Sequence, residues 1–218
     1  MKDIIAVDGE AAAGKSVCAT VAKKLGYELL ETGIIYRSIT LFVLRAGIDP
    51  CDTERISTFI EKNHTRLDFR GNKIALDGHI LGDEIRTLEI SKATPKIAKQ
   101  SNVRKLILPL QREFNGGTRI IAEGRDIGSV VFPDARVKIY LTASLEIRAE
   151  RRFKQYLEKY PSSPITIEET MEELRARDNE DKTRSDSPLV CLPEAVVIDS
   201  TDLIKEEVVN AMLAACQK

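Results

Sequence analysis

The chain has 218 residues, 43% hydrophobic and 31% charged, with 33 Lys and Arg against 34 Asp and Glu for a formal net charge of −1. Such a length suits one well-packed domain with insertions. The near-balanced charge gives no general attraction to nucleic acid or anionic membranes, so any anion site must be built from local clusters.

The chain opens on a short apolar run, Ile4 to Val7, directly after Met1-Lys2-Asp3. That is far below the ~15–30 residues of a signal peptide or the ~20 of a membrane span, so a cytoplasmic protein without a membrane partner is expected. Four more apolar, β-branched runs follow at Tyr27 to Leu30, Arg119 to Ala122, Val137 to Leu141 and Ala195 to Ile198. Continuous rather than alternating apolar runs predict strands buried on both faces of a parallel sheet. Helical periods lie between them: Val17, Cys18, Val21, Ala22 and Leu25 form one stripe, and Ile204, Val208, Met212 and Leu213 another. The alternation predicts an α/β domain with ligands at the carboxyl ends of the strands.

The first interruption carries chemistry. Gly9 to Ser16 reads G-x-x-x-x-G-K-[ST], with an apolar strand before it and an amphipathic helix after it. In such a loop the backbone N–H groups point at a β-phosphate, Lys15 places a charge across the β- and γ-phosphates, and the Ser16 hydroxyl suits Mg²⁺. A nucleoside triphosphate is the implied donor. A guanine-reading Asn-Lys-x-Asp is missing, since Asn72-Lys73-Ile74-Ala75 lacks the Asp. Next comes "ETGIIYRS", 31 to 38, which puts Glu31 and Thr32 at a strand end and Tyr36-Arg37 in the first turn of a helix, where an anion is favoured.

From Thr65 to Leu81 the pattern changes. Turn signals at Arg70-Gly71-Asn72 and Asp77-Gly78 predict a small antiparallel meander. The following stretch, through Phe114, reads as helices broken at Pro95 and near Asn102. Residues 60–114 are taken as an insertion into a core of 1–59 and 115–218. His64 and His79 fall in this insertion and read as surface or turn residues, and Cys18, Cys51, Cys191 and Cys216 have no paired spacing for zinc or a disulfide motif.

Past the insertion, an apolar strand ends in Glu123-Gly124-Arg125-Asp126, two carboxylates and a guanidinium on the ligand side of the sheet. Arg148, Arg151 and Arg152 share one helical face after the fourth strand. "KYPSSPIT", 159 to 166, separates two charged helices, and a lid is placed at about 150–168. Arg177, Asp181 and Arg184 fall at i, i+4 and i+7, an ordered stripe on one face.

Taken together these stretches resemble the bacterial-type cytidylate kinase family, over nearly the whole chain. The residues that carry the resemblance are the phosphate loop, "TGIIYR" 32–37, "EIRT" 84–87, "VR" 103–104, "GRDIGSVVFPDA" 124–135, "RAERR" 148–152, "RDNEDKTR" 177–184 with "SPL" 187–189, and "VIDST" 197–201. The resemblance implies a P-loop NTPase fold: a five-stranded parallel sheet flanked by helices, an NMP-binding insertion and a short lid. It implies transfer of the ATP γ-phosphate to CMP or dCMP, giving CDP or dCDP in pyrimidine metabolism, with Mg²⁺, by a cytoplasmic monomer. ATP would bind Gly9, Glu10, Ala11, Ala12, Ala13, Gly14, Lys15, Ser16 and Val17, with Ser16 on the metal. CMP would bind Thr32, Tyr36, Arg37, Arg104, Glu123, Arg125, Asp126, Arg177 and Asp181. Arg104 and Asp126 would read the base, Arg177 and Asp181 the ribose, Arg37 and Arg125 the phosphate, while Lys15, Arg125, Arg151, Arg152 and Arg184 would be catalytic.

The chain departs from the family pattern in places. Glu10 and Ala12 stand where Pro and Gly are usual, Glu31 replaces Asp, and Pro95 falls where a base-contacting Ser is common, so that contact is either absent or left to Thr94. A kinase with another small acceptor, or a nucleotide-binding protein that has lost catalysis, stays open on the sequence alone.

Overall fold

A computed structural model describes residues 2–63, 66–70, 73–114, 117–161 and 164–217. The five apolar runs form β1 (Asp3–Gly9), β2 (Glu28–Glu31), and, after the insertion, strands at Arg119–Gly124, Val137–Thr142 and Val196–Asp199. With the small meander β3 (Leu67–Arg70), β4 (Lys73–Leu76) and β5 (His79–Ile80) in between, these last three are β6, β7 and β8. The large sheet has the order β2-β6-β1-β7-β8 and every pair is parallel. The chain leaves β1 toward β2 on one side and returns to β7 on the other, so the end of β1 is the switch point where ligands bind such sheets.

Helices cover both faces, which explains the unbroken apolar runs. Ile4, Ala6, Leu30, Ile120 and Ala122 face a core shared with α2 (Thr32–Arg45), α3 (Thr53–Asn63), α4 (Leu88–Ala98) and α5 (Ser101–Arg112). Ile5, Val7, Ile121, Ile139 and Leu141 face the other way, onto α1 (Cys18–Leu25) and α8 (Lys205–Cys216). Neighbours in one strand thus feed opposite layers, as the two-residue period of a strand requires. The remaining helices, α6 (Leu145–Lys159) and α7 (Ile167–Thr183), pack on each other beside the carboxyl ends of the strands. No described helix is long and apolar enough to cross a membrane.

The meander is antiparallel, with Asp77-Gly78 at its second turn. Gly71 and Asn72 of its first turn, His64, and the Ser162-Ser163 pair lie outside the described residues. A boundary at residue 60 falls inside α3, and the core under the meander, including Ile56, Ile60, Leu67, Ile74 and Leu76, is continuous with that of the sheet.

Three expectations are corrected. Helix α2 begins at Thr32, so Tyr36-Arg37 fall in its second turn and not its first. Helix α4 is not broken at Pro95 but runs through it, and the break falls at Lys99-Gln100, before α5, which itself contains Pro109. Burial of Ile90, Ala93, Thr94 and Ile97 on one face of α4 outweighs the ladder bond that proline cannot make. Ile204 does not join the α8 stripe: it is 65% exposed at the helix N-cap, whereas Val208 and Met212 are buried.

Candidate active site

The phosphate loop leaves β1 at Gly9. A Cβ there would sit 2.1 Å from the Leu141 carbonyl oxygen, so only glycine lets β1 and β7 approach this closely. The loop turns through Ala12, at a left-handed φ of 61°, and Gly14, at 106°. A single 3-10 turn, Lys15–Val17, then leads into α1. The Lys15 ammonium folds back onto the loop, donating to the carbonyls of Gly9 at 2.6 Å and Glu10 at 2.7 Å. Burial, reinforced by the positive charge of Arg125, brings the Lys15 pKa down to about 7. Next to it Asp8 is buried and accepts from the backbone N–H groups of Ile127 and Gly128, each at 2.8 Å. Desolvation raises its pKa to about 6 against those two bonds. Asp8 thus anchors the π-helical turn Ile127–Val131 that follows β6.

The loop opens on a cleft of about 580 Å³ lined by Ala11, Ala12, Gly14, Lys15, Ser16 and Val17 on one side and by Arg37, Glu123, Arg125, Arg151, Arg152 and Arg177 on the other. Leu203, Ile204 and Val208 also line it. The phosphate-loop residues therefore share one cavity with Arg37, Arg125, Arg151, Arg152 and Arg177, whereas Arg104 and Arg184, also expected at the site, are not in its lining. Arg151 is held against its wall, donating to Ser200 Oγ at 2.9 Å and to the Ser200 carbonyl at 2.6 Å. Arg152 lies over the Tyr156 ring at 4.8 Å and also lines a neighbouring hollow of about 210 Å³ with Arg37, Arg86 and Lys159. Arg148, on the same helical face, turns inward instead to Asp178 and the Ala143 carbonyl.

Strand β6 divides the acceptor side. Arg125 and Asp126 are consecutive, yet they face different partners. Arg125 Nε donates to Asp181 Oδ2 at 2.9 Å, and Arg184 Nη1 donates to Asp181 Oδ1 at 3.1 Å. Burial works against the Asp181 charge, but Arg125, Arg177 and Arg184 outweigh it and hold the carboxyl below its usual range. Burial, followed by the like charge of Arg125, brings Arg177 down to about 10. Arg177 and Asp181 lie on α7, but Arg184 is its extended C-cap residue just past the helix, so the three form a partly exposed charge cluster at the end of β6 rather than the expected stripe on one helical face.

Asp126 points the other way, into a buried ion pair with Arg104 of α5. Arg104 also lies over the Tyr36 ring, 5.3 Å from its centroid. A separate small cavity of about 50 Å³ is lined by Tyr36, Arg104, Asp126, Gln111, Asp186 and Ser187. Gln111 and Asp186 were not among the expected residues, and Ser187 entered only within the "SPL" 187–189 stretch, with no role. Gln111 had a signal, since it follows Arg104 by seven residues on one face of α5; it is buried, and its amide Nε2 has no hydrogen-bond partner among the described residues. Asp186 accepts from Ser101 and Ser187, a loop contact without periodicity to announce it.

Other expected residues have framework contacts. Thr32 Oγ1 donates to the Glu123 carbonyl at 2.9 Å, joining the start of α2 to the end of β6. A Cβ on Gly124 would meet that Thr32 oxygen at 2.6 Å. Arg37 donates to the Ile85 carbonyl at 3.2 Å and to Ser91 Oγ at 3.1 Å. Glu123 pairs in register with Glu31, and burial followed by that neighbouring charge raises the Glu31 pKa. The Glu10 carboxylate does not face the phosphate side: it is buried and bonded to Lys182 and Thr142. Thr94 Oγ1 donates back to the Ile90 carbonyl, and Pro95 faces α7 across a hollow that Arg177 and Glu180 also line.

Comparison with known proteins assigns the chain as a whole to one family. A cytidylate kinase from Caldanaerobacter subterraneus subsp. tengcongensis is 42% identical over 98% of this chain and 94% of its own length. One from Clostridioides difficile is 40% identical over 97% and 96%. Among solved structures, a shikimate kinase from Bacteroides thetaiotaomicron aligns over 100% of both chains at 9% identity, with a TM-score of 0.49. The cytidylate kinase family model matches residues 5–218, so the region from β1 through α8 is accounted for as a whole, and the chain belongs to the cytidylate kinase family.

Proposed function

We propose that this chain transfers the γ-phosphate of ATP to CMP or dCMP, giving CDP or dCDP. The observation that carries the reading is the divergence of Arg125 and Asp126 at the end of β6. Arg125 joins the arginines beside the phosphate loop, and Asp126 joins Arg104 in a separate buried pocket. An acceptor laid across this strand end has its phosphate directed at the loop and its base directed away from it. Cytosine N4–H₂ then donates to Asp126 and Arg104 donates to O2 or N3, whereas uracil would set its O4 acceptor against a carboxylate.

In this reading the acceptor phosphate oxygen attacks the γ-phosphorus in line, and the bond to the β,γ-bridging oxygen breaks. Catalysis is positioning and charge: Lys15, Arg125, Arg151, Arg152 and Arg184 stabilise the transferring group, Arg37 and Arg125 hold the acceptor phosphate, and Arg177 and Asp181 hold the ribose. The loop from Gly9 to Val17 holds the donor, with Thr32, Tyr36 and Glu123 framing the acceptor. Mg²⁺ fits the donors present, since the exposed Ser16 hydroxyl and the Glu123 carboxylate border the same cleft and oxygen ligands of this kind suit it. When bound, it neutralises charge on the donor phosphates. Residues 60–114 serve as the acceptor-binding insertion and about 150–168 as a lid, in a cytoplasmic monomer.

An acceptor panel tests this. With ATP and Mg²⁺, ADP formation is measured side by side for CMP, dCMP, UMP, AMP and shikimate. CMP and dCMP should be favoured at least tenfold; equal turnover across the panel would overturn the assignment.

A further inference from the structure

Glu10 is the second residue of the phosphate loop and presents two acceptors in different directions. Its carbonyl takes the Lys15 ammonium at 2.7 Å. Its carboxylate takes Lys182 at 2.7 Å through Oε1 and the Thr142 hydroxyl at 2.9 Å through Oε2, with Arg148 Nε 3.7 Å away. The residue is only 7% exposed. Burial disfavours the charge, but Lys182, Thr142 and Arg148 outweigh it and keep the carboxyl below its usual range.

What Glu10 holds matters. Lys182 follows Asp181 in α7 and lies between Arg177 and Arg184, the three residues assigned to ribose and phosphate. Thr142 ends β7. Arg148 adds a second tie from the same loop to the same helix, donating to the Ala11 carbonyl at 3.3 Å and to Asp178. Glu10 therefore contacts, through one side chain, the end of a core strand and the helix that carries Arg177 and Asp181 and is capped by Arg184. Through its backbone it contacts the lysine that must exchange the Gly9 and Glu10 carbonyls for phosphate oxygens when a donor arrives. A conformational change in the loop that alters Glu10 is felt at α7, and thermodynamic linkage makes such a coupling reciprocal.

We propose that Glu10 is a positioning residue that links occupation of the phosphate loop to the placement of Arg177, Asp181 and Arg184, acting through Lys182. The inference rests on the reading that α7 holds the acceptor. It goes beyond that reading in assigning the donor–acceptor coupling of this chain to one carboxylate.

The test uses the full chain with Mg²⁺ present. The CMP dissociation constant is measured by calorimetry with and without a saturating, non-hydrolysable ATP analogue. In the wild type the analogue should tighten CMP by at least fivefold. Lys182→Met should bring that factor close to one while leaving each ligand's affinity alone within about twofold; Lys182→Arg should restore it. Glu10→Gln should also abolish the factor, and Glu10→Gln with Lys182→Met should add no further loss. Should Glu10→Gln not fold, Lys182→Met still decides, because the Lys182 side chain is 47% exposed. A wild type without coupling, or a Lys182→Met protein with wild-type coupling, would overturn the proposal. Arg177→Ala in the same titration keeps the two readings apart: unchanged CMP affinity there refutes the acceptor assignment of α7 itself.

Discussion

Arg125 and Asp126 are joined by one peptide bond but face different chemistry, so their substitutions should separate. Arg125→Ala removes positive charge from the cleft of the phosphate loop, which Arg125 lines, and from its ion pair with Asp181. Turnover should fall for every acceptor, by the roughly 1.5–3 kcal/mol of a charge-assisted contact, or about 10- to 150-fold. Asp126→Asn should instead narrow the preference for CMP over UMP, measured as the ratio of kcat/KM. It should also lower the melting temperature, because Arg104 is left charged and without its counter-ion at a site about 5% exposed. An unchanged CMP to UMP ratio would remove Asp126 from base reading. Ala12 provides a prediction of the opposite sign. Its φ of 61° is left-handed, a conformation costing an L-residue about 1–2 kcal/mol, of which the entropy glycine adds to the unfolded chain cancels part. Ala12→Gly should therefore stabilise by about 1 kcal/mol, seen as a rise of about 2–4 °C in melting temperature.

Elements were legible where the pattern is local. Each apolar run became a strand of the large sheet because burial on both faces leaves a continuous signature, and Gly9 to Ser16 could be read from spacing because the loop's function sits in its own backbone. Pro95 was misread because a proline's local penalty says nothing of the buried Ile90, Ala93, Thr94 and Ile97 that hold α4 together. The partner of Glu10 was out of reach, lying 172 residues away with no local trace. The same holds for the turn after β6, whose anchor is Asp8 on β1. Two carboxylate oxygens there meet two backbone N–H groups, and asparagine can accept with only one. Asp8→Asn should cost about 1–3 kcal/mol in denaturant unfolding and disturb Arg125 and Asp126, which immediately precede that turn. The Asp8 carboxyl titrates near 6 in the folded chain against 3.8 as its ordinary value. Between those values the folded state holds a proton that the unfolded chain has lost. The contribution of Asp8 to stability therefore falls as pH rises through that window and is constant above it. The asparagine variant should lack this slope.

At the scale of the whole molecule, a net charge of −1 conceals a strongly cationic cleft. Lys15, Arg37, Arg125, Arg151, Arg152 and Arg177 line one cavity, where desolvation and mutual repulsion bring Arg177 to about 10 and Lys15 to about 7. The unliganded protein thus keeps Lys15 largely neutral at pH 8, although a phosphate requires it charged. Binding of the donor should therefore be accompanied by proton uptake. Calorimetric titration of the full chain with ATP and Mg²⁺ at pH 8, in two buffers of different ionisation enthalpy, should give an uptake approaching one proton. The same pair of titrations near pH 6 should give no uptake from this group. Unliganded stability carries the matching sign, because the unfolded lysine holds its proton up to about 10.5 while the folded one releases it near 7. The Lys15 contribution should rise with pH between those values, a slope that saturating ATP removes by keeping the ammonium charged in the folded state. Lys15→Met should lose both the uptake and the slope; equal observed enthalpies in the two buffers for the wild type at pH 8 would show that Lys15 enters the reaction already protonated.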